Sequence, residues 1–191
     1  MYVMDDEAEL WQRARQDDGA AFAALFDLHH VRVFRRAIAL LGDVHDADDI
    51  AAAAFFELWR KRRSVPLVSG SILPWLLVTT VNLSRNSRRS TARYRALLRG
   101  LPHPESVASP DDDQSETSRR LAAALGQLTP VDAALIVLTV LEDLPVAAAA
   151  QTVGLKPANA RVRLHRARAR LRAELQELNP DFHPIVEGSP S

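Results

Sequence analysis

The sequence predicts an all-α protein made of two small helical domains joined by a flexible linker. Three observations predict it. Alanine, leucine and arginine dominate the 191 residues and glycine numbers only 7, a composition that favours helices over sheets. Apolar residues recur at helical rather than alternating spacing, in segments bounded by glycine, proline and aspartate. That periodicity stops over residues 101–118, where Pro102, Pro104, Pro110 and the run Asp111, Asp112, Asp113 lie among serines, the composition of a linker.

Residues 1–100 read as a four-helix unit. Residues 7–15 form a short amphipathic helix. Residues 20–41 form a longer one, with Phe22, Leu25, Phe26, Val33, Ala37, Leu40 and Leu41 apolar and Gly42 as its stop. Asp43 and Asp46 offer N-caps to a third helix that runs to about Arg62. A loop over residues 64–71 is broken by Pro66 and Gly70, and Pro74 then sits in the first turn of a fourth helix that continues past Asn82. Trp11, Phe55, Phe56, Trp59 and Trp75 fall at helical spacing and read as core. Residues 119–178 read as a second unit. Leu121, Leu125 and Leu128 mark one helix, and Pro130 opens another that ends near Glu142. Pro145 opens a short helix to Val153, Gly154 breaks it, and Pro157 opens the last. Residues 179–191 read as a frayed tail.

Composition narrows the function. The chain is 47% hydrophobic and 25% charged, ordinary for a globular protein. It has no cysteine, which excludes disulfides and thiolate metal sites and fits a cytoplasmic protein. The N-terminus is acidic, unlike a signal peptide, and the longest apolar run, near residues 133–141, is too short to cross a bilayer, so no membrane insertion is expected. The 6 histidines are scattered, and neither a glycine-rich phosphate loop nor a paired catalytic motif is present. The expectation is a protein without metal, cofactor or enzymatic activity.

Net charge is zero, with 24 basic and 24 acidic residues, but the charges are segregated. Arg85, Arg88, Arg89, Arg93, Arg95 and Arg99 share a stretch without an acid. So do Lys156, Arg161, Arg163, Arg166, Arg168, Arg170 and Arg172. Two local positive surfaces on a neutral chain point to a polyanionic partner.

Residues 146–171 have the pattern of a helix-turn-helix: small Ala150, the turn glycine Gly154, then small Ala160 to anchor a second helix. At about 100° per residue, Ala160, Leu164, Ala167, Leu171 and Leu175 form the buried stripe of that helix. Asn159, Arg161, Val162 and His165 are expected nearest base edges, with Arg163, Arg166, Arg168 and Arg170 on phosphates.

The stretch Gly42-Asp43-Val44-His45-Asp46-Ala47-Asp48-Asp49-Ile50, followed by Phe55-Phe56-Glu57-Leu58-Trp59, resembles the second conserved region of extracytoplasmic-function sigma factors of the sigma-70 superfamily. Pro74-Trp75-Leu76-Leu77, followed by Asn82-Leu83, resembles it too, and the helix-turn-helix closes on Arg163-Leu164-His165-Arg166-Ala167-Arg168. The resemblance spans about residues 7–176. It implies a protein that binds core RNA polymerase and promoter DNA, directs promoter-specific transcription initiation, and is held in check by an anti-sigma factor. It implies polymerase contacts from Asp46, Asp49, Ile50, Glu57 and Arg60. Asn82, Arg85, Asn86, Arg88 and Arg89 would hold the −10 element as a single strand, the loop over residues 64–71 would wall a pocket for a flipped base, and the helix-turn-helix would read the −35 element.

Four positions depart from the family pattern. Ala52 stands where glutamine is usual, Val81 where arginine precedes the asparagine, Ala133 where arginine is common and Ala148 where glutamate is common. These changes keep the helices and bear on polymerase affinity and promoter choice. The alternative reading is a helix-turn-helix repressor or activator that acts without polymerase.

Overall fold

The computed structural model describes residues 6–98 and 116–178. Its elements are α1 (Glu7–Ala14), α2 (Gly19–Leu41), α3 (Val44–Lys61), α4 (Leu73–Leu98), α5 (Glu116–Gln127), α6 (Pro130–Ile136), α7 (Val146–Thr152) and α8 (Pro157–Leu178). The chain of α6 continues through a π-helical turn, Val137–Leu141. No strand occurs among the described residues, only an isolated bridge between Val68 and Ser71. The tail at 179–191 and most of the expected linker lie outside the described residues. The linker's last three positions, 116–118, are instead the first turn of α5.

Local chemistry fixes the helix ends. The Asp18 carboxylate caps α2 by accepting from the N–H groups of Ala20 and Ala21 at 2.9 and 3.0 Å. Gly42 ends α2 with φ +86°, a left-handed conformation that favours glycine. Of the two candidate caps for α3, Asp43 takes the role, accepting from the Asp46 N–H at 2.8 Å. Thr129 caps α6, with Pro130 in the first turn.

The first half packs α1, α3 and α4 around α2. Trp11, Leu25, Leu58, Ile72, Leu76 and Leu77 are fully buried there, and each such leucine contributes about 2 kcal/mol. The Trp11 indole N–H donates to the Val65 carbonyl at 3.3 Å, which pins the loop after α3 to α1. Glu7 adds a second tie. Its carboxylate accepts from His29 Nε2 at 2.9 Å, Ser71 Oγ at 2.8 Å and the Ile72 N–H at 2.7 Å. Burial raises the Glu7 pKa, but the His29 and Ile72 hydrogen bonds, the His29 charge and Ser71 outweigh it and leave the carboxyl below its ordinary range.

The second half builds its core from Leu125, Leu128, Leu135, Ile136 and Leu138, closed by Ala149, Ala150, Ala160, Leu164 and Ala167. The two halves do not stand apart. Helix α5 packs on α2, and α6 and α7 pack on α4, so their cores join in one cluster. Glu142, buried just past the π-helical turn, accepts from Arg32 Nε at 2.5 Å and from Arg36 Nε at 3.0 Å, both on α2. Arg36 also donates to the Leu141 carbonyl at 3.3 Å.

Candidate nucleic-acid and partner interfaces

Helix α3 turns one face to solvent. Asp48, Ala52, Phe56 and Arg60 follow one another at four-residue spacing, and all are exposed. Phe56 is 65% exposed, so its place as a core residue is corrected. The physical reason was available in the sequence. Phe55 and Phe56 are neighbours about 100° apart on a helix, and the side that buries Phe55 turns Phe56 outward. Phe22, Phe26, Ala52, Phe55, Phe56 and Trp59 line a shallow apolar groove between α2 and α3, about 430 Å3 in volume. Its rings are held by mutual contact: Phe22 meets Trp59 edge-on at 4.9 Å and Phe26 meets Phe55 at 4.7 Å.

The other α3 residues singled out in the sequence do not line this groove. Asp46 and Asp49 are exposed near the start of α3, and Ile50 is half-buried. Glu57 and Arg60 pair with each other, at 3.1 Å through Nε and 2.7 Å through the terminal nitrogen. The Arg60 hydrogen bond, followed by Lys61, holds the Glu57 carboxyl below its ordinary range. Their charges therefore partly cancel before any partner arrives. Trp59, half-buried, carries the Arg62 guanidinium over its ring at 4.1 Å.

Helix α4 divides the expected strand-binding set. Asn82, Asn86 and Arg89 are exposed, in phase on one face. Arg85 and Arg88 turn instead toward the second half. Arg85 donates to the Leu125 carbonyl at 3.0 Å, and Arg88 donates to the carbonyls of Ala122 at 2.6 Å and Leu40 at 3.3 Å. Burial, then the charges of Arg89 and Arg88, push the Arg85 pKa down. The loop that follows α3 reverses through Ser69 and Gly70, with φ of +53° and +78°. Its Val65 and Val68 are buried and Pro66 is exposed.

Helices α7 and α8 form the helix-turn-helix. Gly154 makes the turn at φ +71°, and the Leu155 N–H returns to the Ala150 carbonyl at 2.8 Å. Ala160, Leu164 and Ala167 are buried, with Leu171 and Leu175 half-buried, along the expected stripe. Asn159, Arg161, Val162, His165, Arg166, Arg168 and Arg170 face solvent. Arg163 differs. Its Nε meets Asp132 Oδ1 at 2.9 Å and its terminal nitrogen donates to Thr129 Oγ1 at 3.0 Å, which ties α8 to the start of α6. Among the described residues no group of three or more His, Asp or Glu is placed to hold a metal ion, and no helix is long and apolar enough to cross a membrane.

A helical chain with an outward apolar groove, an asparagine- and arginine-bearing helix beside it, and a helix-turn-helix in its second half defines a class of DNA-binding transcription proteins. The family comparison makes it specific. The model for sigma-70 region 2 matches residues 25–94 and the model for sigma-70 region 4 matches residues 118–171. The RNA polymerase sigma factor CarQ of Myxococcus xanthus is 32% identical over 165 residues, covering 84% of this chain and 94% of CarQ. The ECF RNA polymerase sigma factor SigL of Mycobacterium tuberculosis is 29% identical over 165 residues, covering 84% of this chain and 92% of SigL. SigE of Mycolicibacterium smegmatis is 32% identical over 151 residues, covering 75% of this chain, which spans 57% of that longer relative. Among solved structures, CnrH in complex with the cytosolic domain of CnrY has a TM-score of 0.62 at 24% identity, covering 93% of this chain and all of CnrH. The sigma factor RpoE bound to the anti-sigma factor NepR, from Bartonella quintana, has a TM-score of 0.54 at 22% identity, covering 81% of this chain and 96% of RpoE. The likenesses to CnrH and RpoE show the fold alone. The chain belongs to the extracytoplasmic-function sigma factors of the sigma-70 family.

Proposed function

We propose that the chain binds core RNA polymerase in the bacterial cytoplasm and directs it to promoters, selecting the start site and holding melted DNA while polymerase makes the bonds. The chain itself performs no covalent chemistry. The observation that carries this reading is the coexistence of two helices with exposed polar or basic faces, α4 through Asn82, Asn86 and Arg89 and α8 through Arg161, Arg166 and Arg168, with a third exposed face on α3 that has Phe56 among charged residues. A repressor needs only α8, whereas a promoter-opening factor also needs a strand-holding helix and a polymerase contact.

The exposed face of α3, with Phe56 at its centre and Asp46, Asp49, Ile50, Glu57 and Arg60 around it, is the polymerase contact. An aromatic anchor ringed by charge is what a protein interface requires. Asn82, Asn86 and Arg89 take the non-template strand, the asparagines through base hydrogen bonds and the arginine through phosphate. Arg85 joins them only after releasing the Leu125 carbonyl of α5, and Arg88 only after releasing Ala122 of α5 and Leu40 of α2, so strand capture by the full set requires the two halves to part. The loop over residues 64–71 walls the pocket for a flipped base. Helix α8 lies in the major groove of the −35 element, with Asn159, Arg161, Val162 and His165 toward bases and Arg166, Arg168 and Arg170 toward phosphates. Arg163 reaches DNA only if it leaves Asp132. Residues 1–100 and 119–178 are the two functional units, and an anti-sigma protein that covers these faces keeps the factor silent.

The test is co-elution of the purified chain with core RNA polymerase on gel filtration. The wild type is expected to co-elute. Phe56→Asp, a surface change, is expected to keep its melting temperature and weaken the complex at least tenfold, since a truncated aromatic anchor costs about 2 kcal/mol or more. Co-elution unchanged by Phe56→Asp would move the contact off this face.

A further inference from the structure

Helix α2 buries Leu25, His29, Val33 and Ala37 on one side and turns the opposite side to solvent. Ala20, Ala24, Leu28, Val31 and Arg35 are exposed along that side, and Ile38 is half-buried. Their steps of three and four residues keep them on one sector of the helix, a stripe about 27 Å long. Leu28 is 53% exposed and Val31 56%. An exposed apolar stripe with large side chains at its middle marks a contact with another molecule. It is separate from the groove between α2 and α3. Phe26, which lines that groove, lies about 140° round α2 from Val31.

Charge selects the occupant. Asp27 and Arg35 are exposed at the stripe, and among the described residues neither takes part in an ion pair. One stands four residues before Val31 and the other four residues after it, about 6 Å along the axis in each direction. Two copies of α2 laid antiparallel across a two-fold axis at Val31 bring Asp27 of each level with Arg35 of the other. At the same register Ala24 of each copy comes level with Ile38 of the other, small against large, which suits an interaxial distance of about 8–10 Å. At that distance the opposed carboxylate and guanidinium are within an arginine's reach. A parallel pairing would set Asp27 on Asp27 and Arg35 on Arg35. Opposite charges placed evenly about the most exposed large apolar residue of the helix are what a second copy requires.

We propose that the outward face of α2 is a self-association surface. A second copy of this chain docks on it antiparallel, with Val31 on the two-fold axis and Asp27 and Arg35 forming two symmetric ion pairs. One helix pair buries less than the roughly 1,200 Å2 of a standard interface, so the dimer is weak and reversible, with a Kd on the order of 10–100 µM. The contact does not use α3, and the proposal does not rest on the sigma-factor reading.

The test is sedimentation equilibrium of the full chain, loaded from about one-tenth to ten times that Kd. A monomer–dimer equilibrium is expected. Val31→Glu sets two carboxylates against each other on the axis and is expected to leave a monomer throughout the range. Asp27→Arg and Arg35→Asp each turn both attractions into repulsions, and each is expected to weaken the dimer roughly tenfold. Combined in one chain they exchange the signs and are expected to restore the wild-type Kd to within about threefold. All three positions face solvent, and circular dichroism checks that each variant is folded. The proposal is overturned if the wild type is a monomer at every concentration, if a dimer persists in Val31→Glu, or if the doubly reversed chain stays as weak as either single reversal. Co-elution with polymerase is measured separately, so a monomer that binds polymerase sinks only the dimer, and a dimer that fails to bind polymerase sinks only the sigma-factor reading.

Discussion

Arg163 and Arg166 lie three residues apart on α8, and the structure gives them different surroundings. Arg166 is exposed, whereas Arg163 is tied to Asp132 and Thr129. Arg166→Ala is therefore expected to weaken duplex binding and flatten its dependence on salt by about one unit of slope, as the loss of one phosphate contact does, with the melting temperature unchanged. Arg163→Ala is expected to cost about 1–3 kcal/mol of stability, read by urea unfolding, because it leaves the buried Asp132 carboxylate short of a partner. The sequence put both arginines on the phosphate side. Helical phase places a side chain within a sector but does not say which neighbouring element offers it an acid. The same limit hid the division of Arg85 and Arg88 from Asn82, Asn86 and Arg89. At Phe56 the helical phase is sufficient and the residue type misleads, because a large aromatic at helical spacing reads as core. Val81 and Ala133, two of the departures from the family pattern, line a cavity between α4 and α5, where an arginine would take up space.

Helices α1 and α2 and the segment that leads into α4 meet at the Glu7 carboxylate, which serves His29, Ser71 and Ile72 together. A carboxyl with a folded pKa below its unfolded value of about 4.3 contributes stability that is present above that pH and lost as pH falls through the folded value. The pH dependence of melting between about pH 5 and 3 is thus expected to be shallower in Glu7→Gln than in the wild type. At pH 7 Glu7→Gln is expected to be about 1–2 kcal/mol less stable. A parallel pH profile in the two proteins would show that Glu7 carries no such load. The extents of the elements were legible because their ends are local chemistry: Gly42, Asp43, Pro130, Gly154 and Pro157 act within a turn of where they stand. The Glu7 hub was not, since its partners lie 22 to 65 residues away in sequence. The π-helical turn at Val137–Leu141 was not legible either, because an apolar run there reads the same with either hydrogen-bond register.

Across the whole molecule, the seam between the halves joins what the sequence presented as two separate units. A composition break at residues 101–118 marks where chain periodicity stops and says nothing about whether the flanking units touch. Glu142, with its side chain 1% exposed, is the most buried charge of that seam and is held by Arg32 and Arg36. Glu142→Gln is expected to weaken the seam by about 1–3 kcal/mol and shift the population toward separated halves. The absence of cysteine makes the readout clean, because spin labels at Ala23→Cys on α2 and Ala147→Cys on α7 would be the only thiol sites. A longer mean distance in Glu142→Gln is expected, and an unchanged distribution would remove Glu142 as a latch.

Promoter-directed initiation by this chain is read out by run-off transcription. Purified chain and core RNA polymerase are combined on a DNA fragment from upstream of the gene that encodes the chain. Transcripts of one defined length are expected that require the chain and are lost with Phe56→Asp and reduced with Asn82→Ala. The absence of any chain-dependent transcript, from a preparation that is folded and free of inhibitor protein, would contradict it.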